Sequence, residues 1–380
     1  MLKILTIIGA RPQIIKAAAL SRAIRKHFND RIREVIVHTG QHYDEKMSQI
    51  FIQELEIPEP DYNLNIGSGT HGRQTGRMTE SIEEVLMKEK PGYVIIYGDT
   101  NSTLAGSVAA AKLHLPVVHI EAGLRSFNKS MPEEINRIVC DHISTLLFSP
   151  TRTGYKNLMR EGFNPNSSKP HTADRPGIFH CGDVMYDNSI HFKGIAATKS
   201  HILEENGLRE GEFILGTIHR DNNTDKPERL NALFGTLLEI AENQNERVVL
   251  PLHPRTSRAL SNSPDLENRL KQSKNILLLP PVSFLDMIML ESHCSLVMTD
   301  SGGVQKEAYF FQKPCIILRS ETEWTEIVEA GAGIITDADP ERIMEAFHHF
   351  NKTARDIYFP QIFGDGAAAE FICRTILENN

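Results

Sequence analysis

Two acidic residues each stand at the end of an apolar stretch that reads as a strand: Asp99 closes YVIIYGD (residues 93–99) and Glu121 closes VVHIE (117–121). One helix length separates them, so the segment reads as strand, helix, strand, with the strands parallel. In an open α/β sheet the carboxyl ends of such strands face the ligand crevice, and neighbouring strands lie about 4.8 Å apart. Two carboxylates aimed at one place repel each other. The repulsion raises at least one pKa, which is how an acid and a base arise from one residue type. The chemistry this predicts is proton transfer. GDTNST (98–103) also has N-cap composition, so helix capping is the competing role for Asp99. MPEEINR (131–137) adds Glu133, Asn136 and Arg137. The four-residue spacing of Glu133 and Arg137 accounts for part of that cluster as an exposed helix ion pair.

A second set of residues has the makings of an anion seat. In TDSGGVQKEAYFF (299–311) a buried-type strand ends in Ser301-Gly302-Gly303 and a helix starts at once. Glycines allow close backbone approach, and the free amides and dipole of a helix start favour a phosphate. Glu307, on the same helix, is placed to hold the two hydroxyls of a ribose, the alternative being an exposed glutamate beyond a tight turn. GARPQIIK (9–16) is another turn into a helix and carries Arg11 and Lys16. It lacks GxGxxG and GK[ST], which disfavours a dinucleotide or nucleoside-triphosphate loop. His219 and Arg220 end a later strand, where a histidine can assist a departing phosphate. His253 with Arg255, and Arg319 with Glu321, end two more. No HExxH or other paired ligand spacing occurs, so no metal is expected.

The elements that must position these residues alternate from the first position onward, the pattern of doubly wound α/β sheets. KILTIIG (3–9), EVIVHTG (34–40), the two acidic strands, TLLFSPT (145–151) and FHCGDVMYD (179–187) form one series, with a helix opened by Pro12 and another from about Asp44. FILGTIH (213–219), RVVLPLH (247–253), NILLLP (275–280), SLVMTDS (295–301) and PCIILR (314–319) form a second. The expectation is two Rossmann-like domains: 1–187 plus 366–380, the last helix packing back on the first domain, and 188–365. A ligand between them follows from that arrangement.

Length and composition agree with this reading. The 380 residues are too many for one ordinary core; 40% are apolar, 24% are charged and the net charge is −8. That balance argues against a nucleic-acid binder, and no apolar run approaches bilayer length. Five scattered cysteines without CxxC spacing and an opening strand with no leader point to a reduced, cytoplasmic protein.

Taken in order, GARPQIIK, TGQH, GDTNST, HIEAGLRS, MPEEINR, TIHR and TDSGGVQKEA resemble the UDP-N-acetylglucosamine 2-epimerase family over nearly the whole chain. The resemblance implies a glycosyltransferase-B type of fold, with UDP on the second domain and the sugar facing the first. It implies interconversion of UDP-GlcNAc and UDP-ManNAc for surface polysaccharide precursors, through loss of UDP, a bound 2-acetamidoglucal and re-addition, with no cofactor. It implies Asp99, Glu121, Glu133 and His219 as the essential acids and histidine, Arg11 and Lys16 as substrate-side cations, and Ser301, Gly302, Gly303 and Glu307 as UDP contacts. Arg137, Arg220, His253, Arg255 and Arg319 are further candidates for substrate. A homodimer is a family expectation.

Gln13, where the familiar bacterial form has Glu, together with ETEW (321–324) and LHPR (252–255), resembles the branch acting on UDP-2,3-diacetamido-2,3-dideoxy-glucuronate. Arg11, Arg73 or Lys16 would then meet a C6 carboxylate. Gln41, His42 and Arg73 match part of the bacterial activator site, while Asp44 replaces its glutamine. The competing readings are a hydrolysing 2-epimerase, a glycosyltransferase of the same fold, and an inert UDP-sugar sensor.

Overall fold

The computed structural model describes residues 1–40 and 58–380. Gln41, His42 and the helix expected from about Asp44 lie outside the described residues. The chain forms two compact units, Met1–Asn188 with Gln361–Asn380, and Ser189–Pro360, the division falling within the helix Val184–Lys199.

In the first unit, seven strands form one sheet: β1 (Leu2–Ile8), β2 (Ile32–His38), β3 (Tyr62–Asn63), β4 (Tyr93–Tyr97), β5 (Val117–Ile120), β6 (Leu146–Ser149) and β7 (Gly177–His180). Their order is β3-β2-β1-β4-β5-β6-β7 and every pairing is parallel. The strands are near-continuous Ile, Val and Leu runs because helices cover both faces of such a sheet. Leu5, Ile7, Val94 and Ile96 pack with Met78, Ile82, Ala105 and Ala109. The helix Asn101–Lys112 is built largely of small residues and so lies close to the sheet. A Cβ on Gly106 would stand 2.5 Å from the Ile7 Cδ1. Strand order reverses between β1 and β4, which marks the carboxyl ends of β1, β4 and β5 as the binding edge.

The helix Ala368–Glu378 packs against the helix Arg11–Ala23. Its first turn is held by Asp187, which accepts from the Ala368 and Ala369 amides at 3.2 and 2.8 Å.

The second unit repeats the plan with β8 (Ile214–Thr217), β9 (Val248–Pro251), β10 (Ile276–Leu279), β11 (Leu296–Thr299), β12 (Cys315–Ile317) and β13 (Gly333–Ile335). Their order is β10-β9-β8-β11-β12-β13, all parallel. Leu233, Phe234, Leu237, Met298, Ile316, Phe347 and Phe350 centre the core. Here the reversal falls between β8 and β11.

Residues 179–187, read as one strand, divide: β7 ends at His180 and the helix Val184–Lys199 follows. Gly182 makes the break at φ +83°, where a Cβ would stand 2.8 Å from the Phe363 carbonyl oxygen. β3 and β13, of two and three residues, are too short to show a period. All five cysteines are free. Among the described residues, no helix is long and apolar enough to cross a membrane.

Candidate functional site

At the binding edge of the first unit, Asp99 lies two residues past β4 and Glu121 directly past β5. Thr100, not Asp99, caps the following helix: its side chain accepts from the Thr103 amide at 3.3 Å. Asp99 is thus spared the capping role that its neighbours suggested. Its carboxylate is paired with Arg137, and its side chain is 22% exposed. Glu121 adopts φ +73°, a strained value for a residue with a side chain. The Glu121 and Ala122 amides both donate to the Phe148 carbonyl, at 3.0 Å each, which holds that conformation. Lys16, one turn into the helix Arg11–Ala23, places its Nζ 2.7 Å from the Glu121 Oε1. Gly98 lies beneath both, since a Cβ there would be 3.1 Å from the Lys16 Nζ and 3.3 Å from the Glu121 Oε1.

The Asp99 pKa is raised, first by burial; Arg137 and then Lys16 oppose the rise, and Glu121 and Glu133 add smaller upward pushes. Mutual repulsion of carboxylates was the expected cause. Burial outweighs it because two cations stand among the three acids.

The expected ion pair between Glu133 and Arg137 is not what forms: Arg137 turns to Asp99 and lies 3.6 Å from Glu134, while Glu133 is exposed. The half-buried Asp99 carboxylate offers Arg137 a better partner than the exposed one of Glu133 a turn before it. Arg11, at the first helical position, and Arg73, in the first turn of the helix His71–Glu89, are both exposed.

Gln13 and Asn136, named in the sequence for other reasons, and His119 and Asp141, which the sequence did not single out, support this edge. Gln13 is 1% exposed; it accepts from the Gly9 and Ala10 amides at 2.9 and 3.2 Å and donates to the Tyr97 carbonyl at 3.0 Å and the Thr103 hydroxyl at 2.9 Å. It ties the turn after β1 to the end of β4. Asn136 donates to the Asp99 carbonyl at 2.8 Å. His119, fully buried on β5, meets two acceptors, the Asp141 carboxylate at 2.7 Å and the Gly98 carbonyl at 2.8 Å. Both ring nitrogens are thus engaged. Asp141 also accepts from the Gly123 amide at 3.1 Å and pairs with Arg125 at 2.7 Å. Its pKa is lowered overall: burial pushes it up, and His119 and Arg125 together more than reverse that. The only sequence signal was the two-residue step from His119 to Glu121 in HIE, which puts both on one face of the strand.

At the corresponding edge of the second unit, His219 follows β8 and Ser301 follows β11, on either side of the reversal. The fully buried Asp300 fixes the first of these. It accepts from the His219 amide at 3.0 and 3.1 Å, the Arg220 amide at 3.0 Å and the Asn223 side chain at 3.0 Å. The His219 pKa is lowered, chiefly by burial, with Asp300 opposing and His253 adding to the drop; the two imidazole rings are 5.6 Å apart. His219 is thereby kept neutral, and able to give or take a proton, at neutral pH.

Ser301 caps the helix Gly302–Phe310, its hydroxyl accepting from the Val304 amide at 3.4 Å. Arg319 holds Glu323 through two bonds, of 2.9 and 3.0 Å, and Trp324 donates to the Gly302 carbonyl at 3.0 Å. A Cβ on Gly302 would stand 3.6 to 3.8 Å from all three side chains, so they flank the turn. Glu307 is half-buried rather than exposed. His253 caps the helix Pro254–Ser261, and the exposed Arg255 pairs with Asp225 at 3.1 Å. Among the described residues, no group of three His, Cys, Asp or Glu is placed to hold a metal ion.

The sequence model of the UDP-N-acetylglucosamine 2-epimerase family matches residues 23–377. The chain is 48% identical over 372 residues to the UDP-2,3-diacetamido-2,3-dideoxy-D-glucuronate 2-epimerase of Pseudomonas aeruginosa, covering 98% of each chain. It is 42% identical over 377 residues to the UDP-N-acetylglucosamine 2-epimerase of Methanocaldococcus jannaschii, covering 99% of each. The crystal structure of the latter with UDP-GlcNAc and UDP superposes with a TM-score of 0.84 over 99% of this chain and 100% of that one. The Neisseria meningitidis UDP-GlcNAc 2-epimerase bound to UDP-GlcNAc, 29% identical, gives 0.82 over 100% of both. Fold, motif order and likeness over the full length agree, and the chain belongs to the UDP-N-acetylglucosamine 2-epimerase family.

Proposed function

We propose that the protein interconverts UDP-N-acetylglucosamine and UDP-N-acetylmannosamine. The observation that carries this reading is the pair of carboxylates, Asp99 and Glu121, on adjacent strand ends, each with its own cation. A base of this set takes the proton from sugar C2. The C1–O bond to UDP then breaks, its electron pair leaving with the diphosphate, and a C1=C2 double bond forms in a bound 2-acetamidoglucal. Reprotonation at C2 from the other face and return of UDP to C1 give the epimer. Each face needs its own proton carrier, for which Asp99, Glu121 and Glu133 are the candidates, while neutral His219 assists the leaving diphosphate. The first unit is then the sugar side. The second supplies the UDP seat, with the amides at Ser301, Gly302 and Gly303 for phosphate and Glu307 for ribose.

Arg11, Arg220, His253, Arg255 and Arg319 belong to the same reading as substrate contacts; for Arg255 and Arg319 this requires leaving their present carboxylate partners. A homodimer working in the cytoplasm completes it, and sedimentation tests the assembly.

Turnover in deuterium oxide should place deuterium at C2 of the product, and retention of all hydrogen at C2 would exclude the mechanism. Asp99→Asn and Glu121→Gln should each lower kcat by at least about 10²-fold while UDP still binds. The 48% identity to the Pseudomonas aeruginosa enzyme supports a second reading, the diacetamido glucuronate as substrate. Comparing kcat/KM for the two UDP-sugars decides between them.

A further inference from the structure

Glu291, on the helix Phe284–His293, is a buried acid that the proposed reaction does not use. It is 1% exposed, and among the described residues no hydrogen-bond donor reaches either of its carboxyl oxygens. What it faces is another acid, Glu307, within hydrogen-bonding reach on the helix Gly302–Phe310. An ionised carboxylate in such a place would be desolvated, without a donor, and beside a like charge. Burial and Glu307 both push the Glu291 pKa well up, which favours its protonated form. A neutral carboxyl has one O–H to give, and Glu307 is there to accept it; bonds of the O–H···O⁻ kind are short and strong.

We propose that Glu291 is a positioning residue whose neutral carboxyl donates to the Glu307 carboxylate and fixes its orientation for the vicinal hydroxyls of a ribose. The inference rests on the assignment of Glu307 to the ribose made above. The shared proton leaves the pair with one negative charge instead of two, on the helix whose N-terminus is the proposed phosphate seat. It also pins one side of Glu307, so that a bound diol does not have to order that side chain.

Glu291→Gln keeps size and a donor, whereas Glu291→Met keeps size and removes the donor. Calorimetric titration of each full-length variant with UDP and with 2′,3′-dideoxy-UDP separates positioning from packing. Losing one hydrogen bond to a charged group should weaken UDP binding by Glu291→Met about tenfold or more, with Glu291→Gln close to the wild type. Affinity for the dideoxy compound should be the same in all three proteins, and kcat should change less than KM. Equal losses for both nucleotides in Glu291→Met would make Glu291 a packing residue and overturn the proposal, as would unaltered UDP affinity. If the wild-type protein itself binds UDP and dideoxy-UDP alike, the ribose assignment of Glu307 falls, and the inference with it. If the wild type discriminates and Glu291→Met discriminates equally, the inference alone falls.

Discussion

Arg137→Gln isolates the contribution of one cation to the proposed proton-transfer set. Arg137 and Asp99 form an ion pair with side chains 12% and 22% exposed, so solvent screens it little. Burial raises the Asp99 pKa, and Arg137 is the largest influence holding it down. An opposite charge at such range lowers a carboxyl pKa by about 1 to 3, and each pKa unit corresponds to about 1.4 kcal/mol. Removing the guanidinium should therefore move the Asp99 pKa up by that amount. The sign is fixed: with less positive charge nearby, the proton is held to higher pH and the carboxylate base exists only above it. The assay is kcat/KM for C2 deuterium exchange from pH 5 to pH 9, in which the acidic limb of the variant should shift upward by about 1 to 3 units. Arg137→Lys should restore most of the shift. An unmoved limb with lowered activity would mean that Arg137 acts on the substrate and not through Asp99, and a downward shift would refute the electrostatic argument outright.

Three further outcomes follow from buried contacts. Asp141→Asn leaves His119 and Arg125 facing a neutral amide, and breaking a buried ion pair from one side should cost about 3 to 5 kcal/mol in urea unfolding at pH 7. Because the folded-state pKa of Asp141 is lowered, its contribution is present above the unfolded value of about 3.9 and is lost as pH falls through the folded one, so wild type and variant should converge in acid. Gly123→Ala puts a side chain at φ +79°, with its Cβ 2.3 Å from the Gly154 carbonyl oxygen; at least about 2 kcal/mol of destabilisation is expected, and a neutral result in thermal unfolding would refute the clash. Asp300→Ala removes the acceptor shared by the His219 and Arg220 amides and the Asn223 side chain, so kcat should fall with His219 intact, and wild-type kcat would show that the loop holds itself.

The strand ends were legible because a parallel sheet covered on both faces needs unbroken apolar runs, and the polar residue that stops each run marks the binding edge. Asp99, Glu121, His219 and Ser301 all stand at such stops. What local spacing suggested about partners failed where a tertiary neighbour was better placed. Glu133 lies four residues from Arg137, yet the guanidinium goes to Asp99 from a distant strand end. Glu291 reads as one of two acids, with Asp286, in the helix segment FLDMIMLESH, and nothing local reveals that it faces Glu307. β3 and β13 escaped because two or three residues carry no period, whereas the equally short β12 lay inside the longer apolar run PCIILR.

Placing two acids at adjacent strand ends does not by itself hold them. A side chain on a loop can aim within the tolerance of catalysis only if its backbone is fixed by groups that cannot move. The peptide carrying Asp99 is fixed at both of its carbonyls, Gly98 by His119 and Asp99 by Asn136, and Thr100 immobilises the next residue as a cap. The left-handed conformation of Glu121 would relax if its amide bond to Phe148 were the sole restraint, but Lys16 holds the other end of the side chain. His119 is held in turn by Asp141, which also binds the Gly123 amide just beyond Glu121. One buried carboxylate on the helix Pro132–His142 thus bears on the backbone of both acids, and that same helix carries Arg137, the cation paired with Asp99. Geometry and charge at the two carboxylates are set from one element, so a displacement of that helix would disturb the aim of Asp99 and its pKa together.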